Sequence, residues 1–431
     1  MNEIAPMRIL FCCQLYAPSV GGVQEVIRQI AERLVRRGHS VTVATSALPN
    51  RDFEVLNGVH VVSFAVSGNF VEGMSGDVVT YQDFVVSSDF DVMLVYAAQQ
   101  WTFDALWPVL DRIPYAKILV PCGFSNFYEP AYARYFEVMP AILAKFEQLV
   151  FNATHYRDID LAHRHGLTNF TILPNGASED MFNVTADPLF RVRHGIPDDS
   201  FLFLTVGSLT GLKGHAELVR AFAQLEIPPG RHATLLLNGN VIQRLENGGI
   251  ALARKFVGLV RSRGFAYSIR QVWDKIIRKK IAEYAGAQRT NQTDRRVLVT
   301  DFERLELTQA FFAADLFVLA SNIEYSPLVL FESAAAGTPF LTVSAGNSAE
   351  IAEWTGAGVV CPSTVDSRGY TRVDDRILAT SMATLMVEPA RLAHLGQTGR
   401  ETWKQQFTWK TIAIRYEELF YRLVQEKVDA K

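Results

Sequence analysis

Short apolar runs alternate with amphipathic segments along most of this chain. Arg8–Cys13 predicts a first strand, the apolar spacing from Val23 to Arg37 predicts a helix, and His39–Thr45 predicts a second strand. Gly38 stands between that helix and the second strand, where a helix commonly ends. Strand, helix and strand in this order form a βαβ unit, which is typical of a parallel sheet.

The alternation continues in two series that are separated by a polar stretch. Further strands of the first series are predicted at Val59–Phe64, Asp91–Tyr96, Lys117–Pro121, Leu149–Asn152 and Phe170–Leu173. The second series comprises Phe201–Val206, Ala233–Leu237, Val297–Thr300, Leu316–Ala320, Phe340–Val343 and Gly358–Cys361. Residues 177–199 are polar, contain two prolines and predict a linker. The pattern therefore predicts an α/β protein with two doubly wound sheets.

Composition and charge narrow the class of protein. The 431 residues suffice for two or three domains at roughly 150 residues each. A net charge of −3 gives no general attraction to nucleic acid. The four cysteines show no metal-ligand spacing and lie in or beside apolar runs, which favours buried thiols in a reducing, cytoplasmic setting. No apolar run reaches the ~20 residues of a membrane span.

The stretch Ser321–Pro339 carries the clearest candidate site. A predicted strand leads into a polar loop with Glu324, and Pro327 stands where a helix would begin. That helix would contain Glu332 and end near Gly337. A helix N-terminus after a parallel strand binds anions, whereas carboxylates accept hydrogen bonds from sugar hydroxyls. The combination predicts a nucleotide-sugar site.

In each series, the first strand is followed by a loop that contains glycines. In the second series, Gly207–Gly214 includes Lys213 and predicts phosphate binding, although the P-loop pattern is absent. In the first series, Gly21 and Gly22 would let backbone approach a ligand. A simple tight turn explains that pair equally well.

Residues 241–296 form an unusually basic segment. They contain thirteen Lys or Arg against four Asp or Glu, a balance of +9. Within residues 261–280 the apolar positions share one side of a predicted helix. Such a helix can lie on an anionic membrane surface, hold an anionic acceptor or partner, or pack on its own domain. We favour packing, the commonest case for amphipathic helices.

Four motifs in this order resemble those of the retaining GT-B glycosyltransferases, family 4 type (glycosyl transferases group 1). They are Pro18–Gly22, Leu173–Gly176, Val206–Gly214 and Ala320–Pro339, the last with its Glu-x7-Glu pattern. The resemblance implies two Rossmann-like doubly wound domains facing across a cleft. Residues 1–190 would be the acceptor-side domain, and 191–408 the nucleotide-sugar domain with an insert at about 241–296. Residues 409–431 would be a terminal helix that packs back on the N-terminal domain.

The resemblance also implies roles for individual residues. Glu324 would face the donor sugar hydroxyls and Glu332 the ribose hydroxyls, while Lys213 would neutralise the diphosphate. The backbone N–H groups of Leu328 and Val329 would bind the diphosphate. The other candidates are Gly207, Ser208, Ser326 and Asn175 on the donor side, with Gly21 and Gly22 as an acceptor-side or phosphate loop.

The expected function is metal-independent transfer of a hexose, with retention, from a nucleotide-diphosphate sugar to a hydroxyl acceptor. The leaving diphosphate would help to deprotonate the acceptor. The expected partners are the donor and a carbohydrate or glycolipid acceptor, with no further cofactor and no nucleic acid. The setting would be polysaccharide or glycoconjugate assembly in the cytoplasm, where residues 261–280 are a candidate for peripheral contact with the inner membrane surface.

Two departures from the family pattern keep an alternative open. Ser208 stands where the phosphate loop usually has Arg, and the His that the N-terminal domain usually supplies is missing. Gln99 and Gln100 are candidate sugar contacts in its place. The departures favour a catalytically silent GT-B subunit that stabilises a partner enzyme, whereas the intact carboxylates and Lys213 favour an enzyme. A sugar-nucleotide epimerase ranks third.

Overall fold

The computed structural model describes residues 5–239 and 293–429, which form two compact units. The first unit comprises Met1–Ser178, Tyr325–Leu328 and Gln405–Lys431, and the second comprises Glu179–Glu324 and Val329–Lys404. Nearly all of the basic segment, including residues 261–280, lies outside the described residues.

The elements are numbered over the described residues. The strands are β1 Arg8–Cys12, β2 Ser40–Ser46, β3 Val55–Leu56, β4 Val59–Phe64, β5 Val66–Ser67, β6 Ser75–Gly76, β7 Val92–Tyr96, β8 Ala116–Val120, β9 Gln148–Phe151, β10 Phe170–Ile172, β11 Ser200–Val206, β12 His232–Asn238, β13 Arg295–Thr300, β14 Leu316–Leu319, β15 Phe340–Val343, β16 Gly358–Cys361, β17 Thr364–Val365 and β18 Thr371–Arg372. The α-helices are α1 Gly22–Arg36, α2 Val78–Ser87, α3 Trp101–Asp104, α4 Ala133–Leu143, α5 Arg157–Arg164, α6 Glu179–Phe182, α7 Phe190–Arg193, α8 His215–Ala223, α9 Arg304–Ala313, α10 Leu328–Ala336, α11 Ser348–Thr355, α12 Asp375–Met386, α13 Pro389–Thr402 and α14 Trp409–Asp429. Two short 3₁₀ helices, Trp107–Arg112 and Pro130–Tyr132, and a π-helical turn, Trp403–Phe407, complete the described elements.

The first unit is built on one sheet with strand order β10-β9-β8-β7-β1-β2-β4-β3. All neighbours pair in parallel except β3 and β4. Its central strands are buried on both faces, which is why they read as continuous apolar runs in the sequence. The last helix, α14, packs in this unit against α1, and Phe420 contacts Phe11 edge-on with ring centroids 6.3 Å apart.

The second unit has a six-stranded parallel sheet in the order β13-β12-β11-β14-β15-β16. Its core is formed by apolar residues of the sheet together with α8 and α12. A small antiparallel ribbon, β17 and β18, is attached beyond the last strand. The prediction of an α/β chain with two doubly wound sheets is confirmed.

The predicted linker is the main error in this part of the prediction. Residues 179–199 belong to the second unit and include α6 and α7, so the predicted domain boundary at 190 falls inside that unit. Phe182 and Phe190 are buried, and the ring of Phe182 contacts the rings of Phe311 and Trp403. Two aromatic anchors therefore fold a segment whose average composition is polar.

Within the described residues, no helix combines the length and the apolar content needed to cross a membrane.

Candidate functional site

The strand order of the second unit creates a switch point between β11 and β14. The chain leaves β11 toward β12 and β13 on one side, then returns to β14 on the other side. In open α/β sheets, ligands bind beyond the carboxyl ends of the strands at such a point. The loops that leave β11 and β14 here are Gly207–Gly214 and the segment that begins at Ser321.

These two loops are held together by backbone contacts. The carbonyl of Leu212 accepts hydrogen bonds from the N–H of Asn322 at 2.9 Å and from the hydroxyl of Ser321 at 3.1 Å. Gly214 has a left-handed φ of +70°, and a Cβ there would lie 1.7 Å from the carbonyl oxygen of Ala320. Only glycine fits this contact, so the position of the neighbouring Lys213 depends on it.

The structure brings Lys213 and Glu324 into direct contact across the switch point. Lys213 Nζ lies 2.6 Å from Glu324 Oε1, although the residues are 111 positions apart. Their side chains are 31% and 12% exposed, so the cation is accessible and the carboxylate is largely enclosed. A half-buried ammonium group at a loop beside a helix N-terminus can neutralise an anionic ligand.

Glu332 lies on α10 and is almost fully buried, with 4% of its surface exposed. Its Oε1 pairs with Arg304, the first residue of α9. Its Oε2 is buried and has no hydrogen-bond partner among the described residues. A buried carboxylate oxygen without a donor is costly, and a ligand hydroxyl would satisfy it. No sequence motif indicated Arg304, although this residue begins the helix after β13, a strand that ends at the same sheet edge.

His215 is a second residue at this site that no sequence motif indicated. It is the first residue of α8 and is buried, and neither ring nitrogen has a partner in the described part of the chain. Burial, and then the charge of Lys213, lower the pKa of His215 to about 4, so the ring is neutral at neutral pH. A Cβ on Gly207 would lie 3.5 Å from His215 Nε2, so this ring underlies the start of the glycine loop.

The remaining donor-side candidates are divided between the two units. Ser208 is exposed on the glycine loop, and Val329 is the second residue of α10, both in the second unit. Leu328 begins α10, one residue after Pro327, and is counted with the first unit. Helix positions of this kind have no intrahelical acceptor for their N–H groups.

Asn175 and Ser326 meet within the first unit. The side-chain amide of Asn175 donates a hydrogen bond to the carbonyl of Ser326 at 3.3 Å, and the hydroxyl of Ser326 is buried without a partner among the described residues. The neighbouring Tyr325 accepts a hydrogen bond from the N–H of Asn152 at 3.0 Å. Four residues of the Glu-x7-Glu segment are thus anchored in the first unit.

The first sheet has its own switch point, between β1 and β7. Gly21 and Gly22 follow β1, while Gln99 and Gln100 follow β7. Gln100 Oε1 accepts a hydrogen bond from the N–H of Gln14 at 3.2 Å, which links the two loops. Neither glycine has a left-handed φ, and a Cβ on Gly22 would meet no atom within 4 Å. Open space beside Gly22 is compatible with a loop that binds a ligand and also with a simple tight turn.

A search for groups of three or more His, Cys, Asp or Glu side chains that could hold a metal ion finds none in residues 5–239 and 293–429.

This chain is similar to known glycosyl transferases. The family model described as glycosyl transferases group 1 matches residues 255–372. A D-inositol 3-phosphate glycosyltransferase of Thermobispora bispora is 26% identical over 277 residues, which cover 64% of this chain and 55% of that protein. The chain thus spans about half the length of this curated relative.

Solved structures extend the likeness over the whole fold. Sucrose-phosphate synthase from Thermosynechococcus elongatus superposes with a TM-score of 0.74 at 19% identity, covering 97% of this chain and 100% of that one. Anabaena HepE in complex with UDP-glucose gives a TM-score of 0.64 at 17% identity, with coverage of 97% and 100%. The chain has the GT-B fold, and its residues 255–372 are similar to the group 1 glycosyl transferases. The predicted fold is therefore confirmed, and the comparisons support the predicted family resemblance.

Proposed function

We propose that this chain is a retaining, metal-independent glycosyltransferase that moves a hexose from a nucleotide-diphosphate sugar to a hydroxyl acceptor. The observation that carries the proposal is the grouping of Lys213, Glu324 and Glu332 around the β11–β14 switch point of the second sheet. One cation and two enclosed carboxylates match a ligand that combines a diphosphate with many hydroxyl groups.

Lys213 is assigned to the diphosphate. Its ammonium group contacts Glu324, and a diphosphate is a stronger anionic partner that can take over this cation. The first N–H groups of α10 add partial positive charge to that of the Lys213 ammonium group. Because these groups are fixed before the reaction, they stabilise charge that develops on the leaving diphosphate. That diphosphate then accepts the acceptor proton on the same face of the sugar, so no protein nucleophile is required.

Glu332 is assigned to the ribose. Its unpartnered Oε2 is an acceptor that a ribose hydroxyl would satisfy, while Oε1 remains with Arg304. Glu324 is assigned to the hydroxyls of the transferred sugar. When Lys213 turns to the diphosphate, Glu324 Oε1 exchanges the ammonium group for a sugar hydroxyl as its hydrogen-bond donor. The carboxylate also favours positive charge that grows at the sugar ring.

The acceptor is proposed to be a carbohydrate or glycolipid hydroxyl in polysaccharide or glycoconjugate assembly, in the cytoplasm. Peripheral contact of residues 261–280 with the inner membrane surface stays the alternative to packing of this segment on its own domain. Because the curated relatives are named for D-inositol 3-phosphate, this compound is the first acceptor to test.

The proposal is tested by thermal shift and nucleotide release. The wild type is screened against UDP, GDP and ADP and against their glucose and mannose conjugates, since a ligand of the folded state raises apparent stability. We expect one base to be preferred and its sugar conjugate to be hydrolysed or transferred, with no loss of rate in EDTA. Glu324→Gln should keep the shift caused by the nucleotide and lose sugar transfer.

The matched control is Glu353→Gln on the exposed side of α11, which should behave as the wild type. If no nucleotide or nucleotide sugar stabilises the wild type and none is turned over, the enzyme proposal is wrong. The alternative, a silent GT-B subunit that stabilises a partner enzyme, would then be favoured.

A further inference from the structure

His215 combines deep burial with two unsatisfied ring nitrogens. The residue is 1% exposed, and neither Nδ1 nor Nε2 has a hydrogen-bond partner in residues 5–239 and 293–429. A neutral imidazole has one N–H donor and one acceptor nitrogen, and burial of both without partners is costly. An apolar side chain in the same place would avoid this cost. The histidine therefore needs an explanation, and a ligand that pairs with its ring is one.

The main chain places this ring at the start of a helix. His215 is the first residue of α8, which follows β11 through the loop Gly207–Gly214. The first N–H groups of a helix have no intrahelical acceptor and lie at the positive end of its dipole. No side chain caps α8 at Gly214. A helix start and a buried imidazole thus occur together at the β11–β14 switch point, and both favour an anionic oxygen.

The side of Gly207 that a Cβ would occupy is bounded by two side chains. A Cβ there would lie 3.5 Å from His215 Nε2 and 3.3 Å from Lys213 Cγ. The aliphatic stem of Lys213 therefore lies beside the imidazole. The other end of the same side chain contacts Glu324, with Nζ 2.6 Å from Oε1. A movement of Lys213 away from Glu324 would also move the stem that adjoins His215.

The imidazole of His215 is a neutral hydrogen-bond donor. Burial, and then the charge of Lys213, lower the pKa of this ring to about 4. Above about pH 5 the ring is therefore neutral and carries one N–H group. Lys213 is the charged group that acts on the ring, so a second cation at this position would be repelled. A neutral donor can stand beside the ammonium group, and both can bind one anion.

We propose that His215 donates its Nε2–H to an oxygen of the donor diphosphate, and that the Lys213 stem covers this donor until Lys213 turns from Glu324 to the ligand. The inference rests on the proposed function, because the ligand is the diphosphate of the nucleotide sugar. His215 is then a second side-chain donor beside Lys213, in a loop where Ser208 stands at the usual place of an Arg. It contributes a directed hydrogen bond and no charge.

The test uses three substitutions of His215. Gln places an amide nitrogen near the position of Nε2, Asn places one near the position of Nδ1, and Leu removes every donor. Dissociation constants are measured for UDP by calorimetry and for uridine, which lacks the phosphates, by ligand-observed NMR. Loss of one hydrogen bond in His215→Leu should weaken UDP binding about tenfold and change uridine binding less than about twofold. His215→Asn should resemble His215→Leu, whereas His215→Gln should stay within about threefold of the wild type.

Stability without ligand separates a binding role from a structural one. His215→Leu removes two unsatisfied buried nitrogens and should raise the melting temperature, although it weakens UDP binding. The control is His394→Leu at an exposed position of α13, which should leave UDP binding unchanged. A lower melting temperature of His215→Leu, with equal losses of UDP and uridine binding, would mark a structural role and overturn the inference.

The covering role of Lys213 is tested by a double-mutant cycle. Lys213→Met keeps an apolar stem beside His215 and removes the ammonium group that would turn to the diphosphate. In this background His215→Leu should change UDP affinity less than about twofold, because the ring stays covered. Additive losses in the double variant would overturn the covering role.

Three further results separate the two proposals. A wild type that binds UDP and transfers sugar, with His215→Leu equal to it in UDP affinity, overturns the inference alone. Equal losses in His215→Gln and His215→Leu overturn the assignment of the donor to Nε2. A wild type that binds no nucleotide and no nucleotide sugar overturns the proposed function and, with it, this inference. If the wild type prefers another base, its diphosphate and nucleoside replace UDP and uridine.

Discussion

The two units place different chemistry at equivalent positions of the same topology. In the second unit the loops after β11 and β14 bring Lys213 against Glu324, and the helices after β13 and β14 bring Arg304 against Glu332. In the first unit the loops after β1 and β7 present neutral amides, Gln99 and Gln100, on a strained and internally hydrogen-bonded backbone. A parallel sheet thus supplies the location, and the loops decide whether it suits an ionic ligand or a polyhydroxylated one.

The two switch points also fix their functional groups by different means. Lys213 and Glu324 neutralise each other, so their geometry follows from charge and from the close backbone contact at Gly214. Gln99 is fixed by a chain of hydrogen bonds that runs through the Tyr135 hydroxyl to the buried carboxylate of Asp104. Disturbing charge should therefore matter most in the second unit, and disturbing hydrogen-bond geometry should matter most in the first.

The largest effect is expected for Lys213→Met. Removing the cation that is assigned to the leaving diphosphate should lower kcat about 10²–10³-fold, as for other groups that stabilise developing charge. Steady-state nucleotide release measures the loss. The control is Lys404→Met, an exposed lysine of the same unit, and equal losses in both variants would argue against a specific role for Lys213.

The next effect is expected for Gly214→Ala. The added Cβ would lie 1.7 Å from the carbonyl oxygen of Ala320 and would require a left-handed alanine. The combined cost should lower the free energy of unfolding by about 2–4 kcal/mol. Denaturant unfolding measures it, and nucleotide affinity should fall in parallel because Lys213 is displaced. A variant with wild-type stability would contradict the tight contact between the two loops.

The pH dependence of stability tests the buried carboxylate in the first unit. The folded state raises the pKa of Asp104 from 3.8 to about 6, so ionisation opposes folding. Its contribution to stability is greatest below pH 4 and declines as the pH rises through 6, by up to about 3 kcal/mol. The stability of Asp104→Asn relative to the wild type should therefore increase from pH 4.5 to pH 7.5.

Melting curves at the two pH values measure this difference. The control is Asp83→Asn on the exposed side of α2, which makes the same change of charge at the surface of the same unit. If the stability of Asp104→Asn relative to the wild type is the same at both pH values, the Asp104 carboxylate does not carry the buried charge.

The smallest effect is expected for Gly22→Ala. The added Cβ meets nothing within 4 Å, and alanine at the start of α1 should stabilise the fold by about 0.5–1 kcal/mol. Together with Gly214→Ala, this variant tests whether Gly22 is needed for ligand binding or only for the turn. Higher stability with unchanged kinetics would favour the turn, whereas higher stability with weaker binding of donor or acceptor would favour a ligand loop.

Much of the fold could be predicted because buried parallel strands appear as short apolar runs. Every predicted main strand is present within two residues of its expected ends, and α1 and α10 begin and end within a residue or two of the positions that their glycines and proline indicate. The boundary in residues 177–199 could not be predicted, because two buried aromatic side chains outweigh a polar average.

The sequence alone determined the α/β class, the family resemblance and the candidate residues Lys213, Glu324 and Glu332, because these depend on local patterns. The tertiary structure decided which of them meet. Strand order sets β11 beside β14, and this brings together two loops that are 111 positions apart. The partners Arg304 and Tyr135 belong to no motif, since their roles come from long-range contacts that no periodicity encodes.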